Sequence, residues 1–199
     1  MLISVDEHSI EYSKHKINFD VSSDGIPANN EISTRIYFFN KERGLIKEPN
    51  FSTELSFLLE EASEFFRATA SEQKADALGD IIVFAYGWLH KQNFKIPQLF
   101  YLDGSFSEVE LLGLIYDIKY YSEIADENIQ YTDYILQLIS MCYSGIRQLN
   151  FNPDLLMDEV LKHIESRTGS INEDGKWQKD SDITPYKVNF ESCRITKEN

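Results

Sequence analysis

The sequence predicts an all-α fold. Apolar residues recur at intervals of three and four over several long stretches, which is the spacing of one face of an α-helix. No stretch of comparable length alternates as a β-strand does, apart from short ambiguous pieces at the N-terminus and around residues 186–190. A chain of 199 residues can bury a core of its own within one domain. We therefore expect a single helical bundle.

Three helices are expected in the first half of the chain. The first covers about 31–41, where Ile32, Ile36 and Phe39 share one face and Gly44 follows as a stop signal. The second covers about 52–68 and the third about 71–92, ending before Pro97. The apolar stripe of the second helix consists of Leu55, Leu58, Leu59, Ala62, Phe65 and Phe66, and that of the third of Ala75, Leu78, Ile81, Ile82, Ala85 and Leu89.

Three more helices are expected over about 106–124, 128–149 and 153–167, the last beginning at a proline. Residues 1–33 are expected to form an N-terminal arm, residues 34–169 the helical domain and residues 170–199 a C-terminal tail. The arm combines short apolar runs with turn residues, so only short strands or weak order are expected there.

The charge of the chain excludes some classes of partner. Lys and Arg number 19 against 33 Asp and Glu, and the formal net charge of −14 repels a nucleic-acid backbone. A small phosphate ligand is compatible with this charge only if metal ions and a few Lys or Arg residues screen it locally.

The expected location is the cytoplasm, with no attachment to a membrane. Cys142 and Cys193 are two separated thiols, which favours a reducing compartment over a disulfide framework. The longest uncharged apolar run, 81–89, is too short to cross a bilayer, and the N-terminus lacks the pattern of a signal peptide.

An internal repeat is indicated by a shift of 57 residues, which sets Asp76-Ala77-Leu78 beside Asp133-Tyr134-Ile135. The two segments also end alike, in Asn93-Phe94 and Asn150-Phe151. We interpret residues 52–97 and 106–153 as a duplicated helical hairpin, in effect an internal pseudo-dimer. Coincidence of two amphipathic patterns is the alternative.

The two hairpins differ in their charged residues. Where the first has Glu60, Glu61 and Glu64, the second has Tyr116, Asp117 and Tyr120, and Gln137 stands opposite Asp80. Only the first hairpin keeps a carboxylate cluster, so it is expected to be the active copy and the second a degenerate one.

The carboxylates of the first hairpin are spaced for a shared site. Glu60 and Glu64, like Glu61 and Glu64, project from one side of a helix, and Asp76 and Asp80 lie one turn apart on the next helix. Like charges so close to apolar stripes require neutralisation, which a hard divalent cation provides. The alternative is a solvated acidic face.

The two helical motifs resemble those of the MazG-type and dimeric dUTPase superfamily of all-α nucleoside triphosphate pyrophosphohydrolases, especially its phage-like members. The pattern Glu60-Glu61-x-x-Glu64 matches the EExxE motif, and residues 75–84 resemble the second, ExxD-type helix that ends at Asp80. The glutamate of that second motif is missing, since Ala77 and Gln73 stand at the candidate positions, and either Asp76 or Glu72 replaces it. Residues 35–45, 156–167 and 173–179 resemble the leading helix, the last helix and the tail of the family.

The resemblance implies a site and a reaction. Glu60, Glu61, Glu64, Asp76 and Asp80 would bind Mg²⁺, with Mn²⁺ as an alternative, and Glu61 and Glu64 would act in catalysis. Because an acidic site needs cations besides Mg²⁺ to hold a triphosphate, we further expect Lys162, Arg167, Lys176 and Lys179 to bind the phosphates, with the tail close to the active site. The alternative is that they are ordinary surface charges. The substrate would be a nucleoside triphosphate, cleaved to the monophosphate and pyrophosphate in a house-cleaning role in the nucleotide pool.

Three alternatives stay open at this level. The chain could be a non-catalytic helical protein that binds a nucleotide or a partner, because Ala77 and Gln73 fit a decayed motif. It could also be a phosphoribosyl-ATP pyrophosphohydrolase, whose helices are related. A homodimer is compatible with the sequence, as is the internal pseudo-dimer alone.

Overall fold

The computed structural model confirms the all-α class. It describes residues 30–94, 96, 106–123, 131–171, 177–180 and 184–196. Within these ranges the helices are α1 (Asn30–Glu42), α2 (Phe51–Arg67), α3 (Ser71–Lys91), α4 (Glu108–Glu123), α5 (Tyr131–Gln148) and α6 (Pro153–Glu165). Each expected helix is present, with ends close to those expected. Residues 1–29 of the expected N-terminal arm lie outside the described residues, and α1 begins at Asn30.

Local signals fix where the helices begin. The side chain of Asn50 accepts a hydrogen bond from the Thr53 backbone N–H at 3.1 Å, which caps α2. Asn152 caps α6 in the same way through the backbone N–H groups of Asp154 and Leu155, and Pro153 occupies the first helical position. Capping satisfies backbone donors that have no partner within the helix, so these asparagines define the start of each helix.

The central element is α3, which contacts α1, α2, α5 and α6. Its first neighbour, α2, is connected to the far end of α3 by an ion pair between the buried Glu54 and Lys91, 2.6 Å long. The second pair of helices, α4 and α5, packs through α5 onto α3. Helices α2 and α3 therefore form one contacting pair and α4 and α5 another, and the two pairs meet mainly through α3 and α5.

The two hairpins end in the same backbone conformation. Asn93 after α3 and Asn150 after α5 have positive φ angles of 54° and 69°. In each case the next residue returns a hydrogen bond to the helix, from Phe94 N–H to the Leu89 carbonyl and from Phe151 N–H to the Ile146 carbonyl. Asparagine tolerates this left-handed conformation better than most residues, which explains why it stands at both helix ends.

A short antiparallel pair of strands follows the bundle, β1 (Gly169–Ile171) with β2 (Trp177–Lys179), and was not expected from the sequence. Residues 184–189 have no regular structure and lead into a short 3-10 helix, Phe190–Cys193. This last segment packs against α6, where the Asn152 N–H donates to the Cys193 carbonyl at 2.7 Å. The C-terminal tail is thus attached to the last helix of the bundle.

Gly145 in α5 is a site where close packing can be tested. A methyl group there would lie 2.7 Å from Phe106 Cδ2 and 2.9 Å from Leu78 Cδ1, closer than side chains tolerate. We expect Gly145→Ala to lower the free energy of unfolding by about 1–2 kcal/mol despite the better helix propensity of alanine. Urea denaturation followed by circular dichroism measures the change.

The matched control is Gly113 in α4, where an added methyl group meets no atom within 4 Å. Gly113→Ala should therefore stabilise the protein by about 0.5–1 kcal/mol through helix propensity alone. Equal effects of the two substitutions would contradict the close approach of Gly145 to Leu78.

Candidate functional site

Five carboxylates of α2 and α3 lie within electrostatic range of one another. On α2 the core is contacted by the buried Leu58, Ala62 and Phe65, which places Glu61 at the edge of the buried face and Glu60 and Glu64 in solvent. Packing of α2 on α3 brings this edge to the partly buried Asp76 and Asp80. Each of the other four carboxylates is close enough to affect the ionisation of Glu61.

Glu61 is the centre of the cluster. Burial raises the pKa of its carboxyl group to about 8, and the negative charges of its neighbours add to this effect. Those neighbours are, in order of effect, Asp80, Glu64, Glu60 and Asp76. Among the described residues no ion pair involves Glu60, Glu61 or Glu64. The carboxylates around Glu61 therefore carry much uncompensated negative charge, and a bound cation would reduce their mutual repulsion.

A positive edge is supplied by α6. Burial raises the pKa of Asp76, the charges of His163 and Arg167 act in the opposite direction, and Glu64 adds a smaller rise. The packing of the two helices is consistent with this proximity of α6 to Asp76. A methyl group added at Gly79, one turn after Asp76, would lie 3.0 Å from Val160 on α6. Helices α3 and α6 are therefore in direct contact beside the carboxylates.

The structure distinguishes between the two candidates for the missing glutamate of the second motif. Glu72 pairs with Arg194 and with the Ser71 hydroxyl, and its pKa is lowered, first by a hydrogen bond from its own backbone N–H and then by these two partners. Asp76 instead lies within the influence of Glu61 and Glu64. Of the two, Asp76 belongs to the cluster.

The four cationic residues expected to bind phosphate are in different positions. Lys162 donates to Asp158 and Glu159, both at 2.8 Å, so its charge is already compensated on α6. Arg167 lies near Asp76, and its backbone carbonyl accepts a hydrogen bond of 3.0 Å from Arg43. Lys176 lies outside the described residues, and of Lys179 only the backbone, in β2, is described.

His163 is a residue of the site that the sequence analysis missed. Its Nδ1 is hydrogen-bonded to the Tyr186 carbonyl, and its charge acts to lower the pKa of Asp76. The local sequence contains no clear signal, because α6 ends at Glu165 and the helical spacing of four residues does not extend to Arg167. Tyr186 N–H in turn donates to the Ser166 hydroxyl at 2.8 Å, which fixes the tail beside the site.

No protein-family model, curated protein or solved structure matches the chain. No helix of the described ranges is long and apolar enough to cross a membrane. The side chains of the site are therefore the basis for any functional conclusion.

The donor atoms of the cluster suit a hard cation. All five side chains offer carboxylate oxygens, which are the protein ligands that Mg²⁺ prefers. Within the described parts of the chain, however, no three Asp, Glu, His or Cys side chains are arranged to hold one ion. Mutual repulsion keeps carboxylates apart, and glutamate side chains on neighbouring helix turns can converge by rotation about their side-chain bonds.

A cavity of about 300 Å³ lies at the opposite end of α3, between that helix and α1. Ser33 Oγ and His90 Nε2 are 3.0 Å apart in its wall, and burial lowers the pKa of His90 to about 4. His90 is ten residues beyond Asp80, roughly 15 Å along the helix. This cavity is thus separate from the carboxylate cluster.

Proposed function

We propose that the protein is a Mg²⁺-dependent nucleoside triphosphate pyrophosphohydrolase that converts a nucleoside triphosphate to the monophosphate and pyrophosphate. The observation that carries the proposal is that Glu60, Glu64, Asp76 and Asp80 all lie close enough to the partly buried carboxyl group of Glu61 to raise its pKa. So much negative charge at the edge of a core is costly unless cations bind there. The EExxE pattern on α2 gives the reaction class by resemblance.

The carboxylates have two roles in this reaction. Mg²⁺ bound there would lower the pKa of the attacking water and offset charge on the leaving pyrophosphate. A carboxylate oxygen of Glu61 or Glu64 accepts the proton of the water that attacks the α-phosphorus. The bond between that phosphorus and the oxygen bridging to the β-phosphorus then breaks, which releases pyrophosphate.

Other side chains hold the substrate. Arg167, just after the end of α6, lies beside Asp76 and offers a planar guanidinium group for two phosphate oxygens. Lys162 is less suited, because Asp158 and Glu159 already compensate its charge. A house-cleaning role in the nucleotide pool of the cytoplasm, and a pseudo-dimer built from the two hairpins, belong to the same proposal.

Pyrophosphate release from a panel of canonical and modified nucleoside triphosphates, with Mg²⁺ or Mn²⁺, tests the activity. Metal-dependent release of pyrophosphate is the expected result, and chelation of the metal should abolish it. Calorimetry with the same nucleotides separates the alternatives: binding without turnover would indicate a non-catalytic nucleotide-binding protein. Turnover of phosphoribosyl-ATP alone would indicate the related pyrophosphohydrolase.

The contrast between Arg167 and Lys162 gives a specific prediction. Arg167→Gln should raise KM about tenfold with a smaller decrease in kcat, because the lost contact binds substrate and transition state alike. Lys162→Gln removes one positive charge from α6, five residues before Arg167, but should leave KM within about twofold. Steady-state kinetics measure both, and a larger effect of Lys162→Gln would place the phosphates on the other side of α6.

A further inference from the structure

The outer face of α4 carries an apolar stripe that the proposed catalysis does not use. Val109, Leu112, Tyr116 and Tyr120 are 80, 48, 63 and 46 % exposed. Their spacing of three, four and four residues places them along one side of the helix.

The stripe is additional to the face that α4 buries. Leu111, Ile115 and Ile118 are buried on the inner side, and α4 packs there on α5. A helix that is apolar on two sides needs contacts on both, while a surface helix usually carries one apolar face. A continuous exposed apolar row of this kind marks an interaction surface, whereas single exposed apolar residues do not.

Charge distinguishes the two flanks of the stripe. Glu110 and Asp117 are seven residues apart, so they lie on the same flank and make it acidic. On the other flank Lys119 pairs with Glu123 at 3.1 Å, and that flank is neutral. An antiparallel pair of α4 helices from two copies would bring the two acidic flanks together, which disfavours self-association.

The length of the stripe limits the size of the partner segment that can cover it. From Val109 to Tyr120 the helix rises about 17 Å, which matches three turns of one partner helix. Interfaces between two globular proteins commonly bury about 800 Å² on each side, a larger surface than one such row offers.

We propose that α4 is a docking surface for a basic amphipathic helix of a partner protein. The apolar side of that helix packs on Leu112 and Tyr116, and its Lys or Arg residues contact Glu110 and Asp117. Recognition of an amphipathic helix by apolar contacts at intervals of three and four residues is a common mode of peptide binding.

A synthetic helical peptide tests the proposal with the full-length protein. The probe has leucine at the helical spacing and lysine on both flanks, and a second peptide carries glutamate in place of every lysine. Fluorescence anisotropy should show saturable binding of the lysine peptide and at least tenfold weaker binding of the glutamate peptide. Absence of binding by the lysine peptide, or equal binding of both, would overturn the proposal.

Variants locate the binding site. The double variant Leu112→Ser with Tyr116→Ser should weaken the lysine peptide at least tenfold, and so should Val109→Lys alone. Leu155→Ser, which alters another exposed leucine, on α6 and 49 % exposed, should leave affinity within twofold. Circular dichroism checks that each variant is folded, and unchanged affinity in either folded α4 variant would place the peptide elsewhere. Light scattering gives the oligomeric state of the wild type and of the double variant. If the wild type is a dimer and the double variant is a monomer, a second copy of the chain occupies the stripe and the proposal is wrong.

Discussion

Replacing Glu61 or Glu64 with glutamine is expected to reduce pyrophosphate release on the order of a thousandfold while leaving the fold intact. Each substitution removes a carboxylate oxygen that would bind Mg²⁺ or accept the proton of the attacking water. The fold should persist because Glu61 lies at the edge of the core and Glu64 in solvent, and neutralising either relieves the crowding of negative charge. Activity assays combined with circular dichroism measure both parts of this expectation.

Glu110→Gln is the matched control, since it neutralises an exposed glutamate on α4 that is not among the charges acting on Glu61. Its turnover should equal that of the wild type. Unchanged turnover in both Glu61→Gln and Glu64→Gln would reject the carboxylate cluster as the catalytic site, even if pyrophosphate release itself were confirmed.

The second large effect concerns stability and pH in the absence of divalent metal. The pKa of Glu61 is raised from 4.5 to about 8 in the folded protein, so the folded state binds this proton more tightly than the unfolded state does. Its contribution to stability is fully present below pH 4.5 and is lost as the pH rises through about 8. Stability should therefore decrease between pH 6 and pH 9, by on the order of 1 kcal/mol after allowance for solvent screening of this half-exposed carboxyl group.

Glu61→Gln removes the titrating group and should flatten this part of the pH profile, so that the variant is more stable than the wild type at pH 9. Adding Mg²⁺ at pH 9 should restore stability to the wild type more than to the variant, because a ligand that binds only the folded state stabilises it. Thermal unfolding at pH 6 and 9, with and without Mg²⁺, gives the comparison. Parallel profiles for both proteins would show that Glu61 ionises normally.

The helices could be predicted because their signals are local. Leu58, Ala62 and Phe65 form a stripe that any reader of the sequence can identify, and the asparagine caps lie next to the helices they start. Strands β1 and β2 could not be predicted in this way, since three residues are too few to show alternation.

The site was predictable only in part, for a physical reason. The carboxylates of α2 and α3 belong to neighbouring helices of one hairpin, and their spacing shows which of them share a side. The roles of Glu72 and Lys162 depend on partners instead. Arg194, which pairs with Glu72, is 122 residues away along the chain, so the sequence around Glu72 does not indicate this pairing. Asp158 and Lys162 are four residues apart, so that pairing was present in the sequence and was overlooked.

The contact of Gly79 with Val160 links packing to charge. This glycine lies between Asp76 and Asp80 on α3, and the absence of a side chain lets α6 approach closely. The same approach determines how near His163 and Arg167 come to Asp76. A larger residue at position 79 would push α6 outward and weaken that attraction without changing any charged residue. The ionic balance of the site is thus under steric control, and an uncharged substitution in the core would alter the proposed binding of metal ions and phosphates there.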